Sequence, residues 1–284
     1  MTPRCAGIGS RETVMTDNTN NKEFWNEYVT YWEDKVKDAN INKEAKDKTN
    51  DDTILETYFK KLNVQENDTF LDYGCGFGRL YPLYKKVIGR GYGHYYGIDV
   101  SRICLEHAQV EEPELKINRN LLEFDGEHIP FENNSFDKIV CFGVFDACYQ
   151  EMVIRELLRV LKINGLLLIT GKNNNYFDDD EAAVIAEVNA RKKGHPNYFT
   201  NIGNFKEQLR QHGVELIETF YFLRRGDFPK NQAIIEMPDR FYEWAFIVKK
   251  SGCYKEFEYQ KFSNKFSKYF ESDNKGWEII QHGK

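Results

Sequence analysis

FLDYGCGFGRL, residues 70–80, is the stretch on which the fold turns. A short apolar run carries the acid Asp72 and is followed by Gly74, Gly76 and Gly78, which lead into a helical segment. Glycines at a strand-to-helix turn let a ligand approach the backbone and face the amides of the helix N-terminus. The spacing is G-x-G-x-G, which differs from the G-x-G-x-x-G of dinucleotide folds, and Asp72 stands two residues ahead of the first glycine, inside the turn.

Outward from that turn, short apolar runs alternate with helical segments, the pattern of parallel strands joined by crossover helices. Strands are expected at residues 69–72, 95–99, 121–124, 138–142 and 166–170. Between the last two, QEMVIRELLRVLK puts Met152, Val153, Leu157, Val160 and Leu161 on one helix face, with Asn164 and Gly165 as its stop. The segment 173–204 reads as a lid, a loop followed by a helix at 182–193 that Gly194 and Pro196 break. A helix at 205–212 precedes apolar runs at 214–223 and 241–248, which close the sheet as an antiparallel hairpin. The fold class is α/β: a doubly wound, Rossmann-like, seven-stranded sheet, mostly parallel with a C-terminal antiparallel strand. In the tail, residues 255–270, the near-helical spacing of Phe257, Phe262, Phe266, Tyr269 and Phe270 predicts a packing helix. Upstream, Trp25, Tyr28, Val29, Trp32 and Val36 mark one helix face, and residues 53–62 a second helix with Asp51 or Asp52 to cap it. Residues 1–20 read as a disordered leader, and Met15 as an alternative start.

Composition narrows the function classes. Among 284 residues, 39 lysines and arginines face 45 acids, a formal charge of −6, and no basic block is present to neutralise phosphates. A nucleic acid is not the expected partner. No run approaches the roughly 20 apolar residues of a bilayer span, so no membrane association is expected. The six cysteines are scattered, without CxxC spacing or histidine partners, which predicts neither a metal site nor a disulfide framework and fits a reducing cytoplasm.

Two further pieces join the glycine run. In YYGIDVS, Asp99 ends the second strand, where a carboxylate can accept both hydroxyl hydrogens of a ribose. In FDGEHIPFENNSFDKIVCF, Asp125 and Gly126 follow the third strand. Together with RELLRVLKINGLLLIT, these segments resemble the class I S-adenosylmethionine-dependent methyltransferase family, in its small-molecule branch. The resemblance is strong over residues 66–172 and only a pattern over 205–250. It implies S-adenosylmethionine as cofactor, with Gly74, Cys75, Gly76 and Gly78 forming its loop and Asp72 holding its ammonium. It further implies Asp99 on the ribose, Val100 against the adenine, Asp125 and the Gly126 amide on the adenine edge, and Phe142 and Gly143 at the methionine end. The chain then divides into a leader (1–20), helices covering the cofactor (21–66), a methyltransferase domain (67–250) and a tail (251–284).

The same resemblance implies methyl transfer to an oxygen or nitrogen of a small biosynthetic acceptor. The alternatives are a protein methyltransferase or a non-catalytic scaffold that binds the cofactor. Where relatives carry V-L-E-H after the fourth strand this chain has Val144-Phe145-Asp146-Ala147, so the histidine of that position is absent. Asp146, Tyr149 and His195 are the candidates for catalysis, because they fall beyond the strand ends or at the lid's break. Arg224, Arg225 and Asp227 could reach an anionic acceptor, and Asp178, Asp179, Asp180 and Glu181 complement a helix dipole. The oligomeric state is not legible.

Overall fold

The computed structural model describes residues 51–89, 94–192, 195–256, 258–265, 267, 270–273 and 276–279. The leader, the helix expected at 23–36 and the side chains proposed to cap the next helix lie outside them.

The main sheet follows the order β3-β2-β1-β4-β5-β8-β7. Its strands are β1 (Phe70–Tyr73), β2 (Tyr95–Asp99), β3 (Leu121–Glu123), β4 (Phe136–Cys141), β5 (Leu161–Lys172), β7 (Val214–Phe222) and β8 (Glu243–Lys250). The first five are parallel, and β8 runs antiparallel between β5 and β7. The helices are α1 (Asp51–Lys61), α2 (Tyr81–Ile88), α3 (Arg102–Glu111), α4 (Gln150–Val160), α5 (Glu181–Lys192) and α6 (Ile202–Gln211).

The two-residue period of the strands sends alternate side chains into two cores. Leu71, Ile139, Leu167, Ile169, Phe246 and Val248 join α4 and α6 on one face. Phe70, Val140, Leu168, Ala245 and Ile247 join α1, α2 and α3 on the other. Local signals fix the helix ends: Ser101 Oγ accepts from the Cys104 amide ahead of α3, and Asn201 Oδ1 from the Asn204 amide ahead of α6.

Two expectations are corrected. Helix α4 ends at Val160, four residues before Asn164, and β5 already begins at Leu161, which pairs with Phe136. Asn164, with φ at 65°, and Gly165, whose Cβ would stand 2.7 Å from Leu161, instead turn the chain within that long strand. The tail is not a helix among its described residues. Side chains capture its backbone in extended form: Glu151 Oε1 accepts the amides of Phe262 and Ser263, and Gln208 Oε1 that of Gln260. Ser263–Asn264 (β9) thereby pairs with Phe199–Thr200 (β6), while Phe262 still buries its ring against Phe205. Beyond it Phe270–Asp273 (β10) pairs with Gly276–Ile279 (β11).

Segment 173–204 has a small core of its own, Tyr176, Ala183 and Phe199 with Tyr242. Three acids clasp it to the β7–β8 connection: Asp178 pairs with Arg240, Asp179 with Arg224, and Asp180 Oδ2 accepts the Arg225 amide. Asp180 Oδ1 also accepts the Ala183 amide, so this acid caps α5 as expected of the run.

Candidate functional site

The loop after β1 is held by the neighbouring strand. The amides of Gly74 and Cys75 both donate to Ile98 O, at 2.8 and 3.0 Å, and the Gly76 amide donates to Asp99 Oδ2 at 2.9 Å. Asp99 Oδ1 accepts the Ser101 amide at 2.9 Å. Gly74, Gly76 and Gly78 all have positive φ, which glycine adopts without strain, but for different surroundings. A Cβ on Gly74 would stand 2.6 Å from Val144, and one on Gly78 3.2 Å from Ala108. On Gly76 it would meet nothing within 4 Å, so this backbone faces open space. Cys75 is buried beneath the turn, against Gly97.

Two acids lie under the loop. Asp72 is 5% exposed and accepts the Tyr95 hydroxyl at 2.7 Å. Burial pushes its carboxyl up to about 7; the Tyr95 bond opposes this and the charge of Asp99 reinforces it. Burial also raises Asp99, against the pull of the amides it accepts. Asp125 is exposed; its Oδ1 accepts the amides of Glu127 and His128, the bonds of a turn-forming aspartate. Gly126 lies against Val100. Phe142 packs on Phe228, and the Gly143 amide donates to Thr170 Oγ1 at 2.8 Å. A Cβ on Gly143 would likewise meet nothing within 4 Å.

Beside Gly143, at the carboxyl ends of β4 and β5, lies a cleft of about 100 Å³ lined by Asp146, Thr170, Gly171, Lys172, Phe228, Glu243 and Trp244. Asp146 Oδ2 stands 2.6 Å from Lys172 Nζ, which also donates to Asn197 Oδ1 at 2.9 Å. Burial works to raise Asp146, but the Lys172 ammonium holds it below the usual carboxylate range. The two other candidates for catalysis are brought near: the Tyr149 ring lies 5.4 Å from Tyr198, whose amide donates to Asp146 O, and His195 is within electrostatic reach of the Asp146 carboxylate. Neither lines the cleft. Arg224, Arg225 and Asp227 are engaged within the clasp: Arg224 packs on Phe177, Arg225 donates to the Tyr242 hydroxyl, and Asp227 accepts the Arg224 amide. Sequence reasoning passed over Thr170, Lys172, Phe228, Glu243 and Trp244. The signal available for Lys172 was a lone cation closing an apolar strand. No group of histidines, cysteines and acids that could hold a metal occurs among the described residues, and no described helix is long and apolar enough to cross a membrane.

A family model described as a methyltransferase domain matches residues 71–169. The chain is 32% identical over 111 residues to a demethylmenaquinone methyltransferase of Lactobacillus johnsonii, a match over 38% of this chain and 45% of that one. An uncharacterized protein of Methanocaldococcus jannaschii is 31% identical over 121 residues, 42% of this chain and 43% of its own length. The matched stretch thus spans less than half of either relative. Among solved structures, a Thermotoga maritima protein described as a SAM-dependent methyltransferase and possible histamine N-methyltransferase superposes with a TM-score of 0.54 at 16% identity, covering 81% of this chain and 99% of that one. This likeness bears on the fold.

Proposed function

We propose that the chain is a class I S-adenosylmethionine-dependent methyltransferase, its residues 71–169 matching a methyltransferase-domain model, and that it transfers a methyl group to a small molecule held in the cleft beside Gly143. One observation carries the reading. Gly76 and Gly143, two of the five described glycines where a Cβ would meet nothing within 4 Å, follow the carboxyl ends of β1 and β4, so two open glycine surfaces flank the switch point of the sheet and lead to the cleft.

The residues present fit the cofactor. Asp72 is a buried acid bonded to a neutral tyrosine, a site suited to an ammonium, and Asp99 offers a carboxylate edge to ribose hydroxyls. Val100 and Gly126 supply the adenine wall, and Asp125 with the Gly126 amide its polar edge. When bound, S-adenosylmethionine supplies an activated methyl on a cationic leaving group, so the chain's part is largely placement and alignment. Phe142 and Phe228, in ring contact, wall the methionine end, and segment 173–204 with the β7–β8 connection encloses the acceptor. Asp146 is a poor proton acceptor because Lys172 keeps it ionised; its part is to hold the lysine in place.

Thermal unfolding with saturating S-adenosylmethionine, S-adenosylhomocysteine or NAD tests the reading. A hundredfold excess over the dissociation constant adds about 2.7 kcal/mol, a rise of several degrees. The two adenosyl ligands should shift the midpoint and NAD should not; the reverse would refute the assignment.

A further inference from the structure

The cleft is rich in hydrogen-bond donors. Lys172 is an ammonium with three N–H groups, of which two go to Asp146 and Asn197. Thr170 accepts the Gly143 amide through Oγ1, and its own hydroxyl proton has no acceptor among the described residues. Trp244 is fully buried, and its indole Nε1 has no hydrogen-bond partner among the described residues. All three residues line the one cleft. Buried N–H and O–H groups are nearly always satisfied, so donors without acceptors around one opening mark the place of a missing acceptor. The charges in reach pair off: Asp146 faces Lys172, and Glu243 at the rim lies within electrostatic reach of both Lys172 and Arg225.

We propose that the cleft binds the methyl acceptor as an oxyanion, a phenolate or enolate, whose oxygen accepts from Lys172 Nζ, with Thr170 Oγ1 and Trp244 Nε1 completing the donor set. This rests on the methyltransferase reading and narrows it to acceptors whose hydroxyl is acidic enough to ionise. The acceptor's proton is lost to the buffer, so no protein base is required, which accounts for a site whose nearest carboxylate is already ion-paired. Lys172 stays charged, because Asp146 and Glu243 outweigh the cost of burial.

The test uses 4-nitrophenol, whose phenolate absorbs in the visible while the phenol does not, added to the full chain saturated with S-adenosylhomocysteine. Bound probe should ionise about one pH unit or more below free probe, a tenfold preference for the anion. The neutral isostere 4-nitroaniline should bind far more weakly. Trp244→Phe keeps the ring and removes one donor; it should weaken phenolate binding about threefold to tenfold, the worth of one hydrogen bond. Lys172→Met should abolish the ionisation shift, and Asp146→Asn/Lys172→Met guards against misfolding from an unpaired acid. An unchanged midpoint on binding, equal affinity for both probes, or no binding at all would overturn the oxyanion site. Thermal shifts with S-adenosylhomocysteine, run on the same samples, separate these outcomes from failure of the cofactor reading, which alone would remove that shift.

Discussion

Asp72→Asn should flatten the dependence of stability on pH. The folded-state carboxyl titrates at about 7 against an ordinary 3.8, because it is buried, with Tyr95 partly compensating and Asp99 adding repulsion. A raised acid binds more protons folded than unfolded between those values. Stability therefore falls as pH rises through that window and levels off above the folded value. At 1.36 kcal/mol per unit the difference is on the order of 4 kcal/mol from about pH 4 to about pH 8, a large part of a domain's total stability. Asparagine keeps the shape and a carbonyl for the Tyr95 hydroxyl but does not titrate, so the variant's curve should lack this slope and lie above wild type near neutrality. Urea unfolding across the pH range measures both. Parallel curves for the two proteins would refute the claim that burial holds Asp72 protonated. Ligand binding reads the same group from the other side: the ionised acid suits an ammonium, so affinity for S-adenosylhomocysteine should rise with pH through about 7 in wild type and not in the variant.

Asp99→Ala removes a carboxylate that accepts two loop amides and, by the proposal, a ribose. At about 1.5–3 kcal/mol for each charge-assisted bond, calorimetry should show S-adenosylhomocysteine affinity lowered at least tenfold, and an unchanged affinity would sink the ribose assignment. Gly76→Ala should cost only about 1–2 kcal/mol in chemical denaturation, the strain of a left-handed alanine, since its Cβ meets nothing, yet it should abolish ligand binding; binding retained would mean that this surface does not face the cofactor. Lys172→Met leaves Asp146 buried and unpaired and should cost about 3–5 kcal/mol by urea unfolding, with much of the loss recovered in Asp146→Asn/Lys172→Met. Gly171→Ala would place a Cβ 2.6 Å from the Trp244 ring and should lower the thermal midpoint through a loss of about 1–3 kcal/mol.

The glycine turn and the acid beside it, proposed for the cofactor, were legible because their parts are local. The second strand is observed where alternation placed it, Tyr95–Asp99, and the loop glycines and Asp99 meet because adjacent parallel strands end at the same edge. Spacing along the chain carries that information. It misled where contacts across the molecule outweighed local periodicity: the aromatic rhythm of the tail resembled a helix, but Glu151 and Gln208 hold that backbone extended. In the same way Asn164-Gly165 has the chemistry of a helix stop and is used four residues later, inside β5.

The cleft proposed for the acceptor was illegible for a related reason, and the reason bears on function. Asp146 follows β4, Lys172 closes β5, Asn197 comes from the 173–204 segment, and Trp244 is the second residue of β8, so a cluster of four residues spans nearly 100 positions in sequence. No motif spacing can encode it. Cofactor recognition needs backbone amides at one turn, which ties it to a contiguous run, whereas the cleft is assembled by strand register, chiefly Gly171 against Trp244 and Lys172 against Glu243. On the proposed reading, substitutions at those four register positions therefore change which acceptor fits while leaving every residue of the glycine turn, and the affinity for the cofactor, as they are.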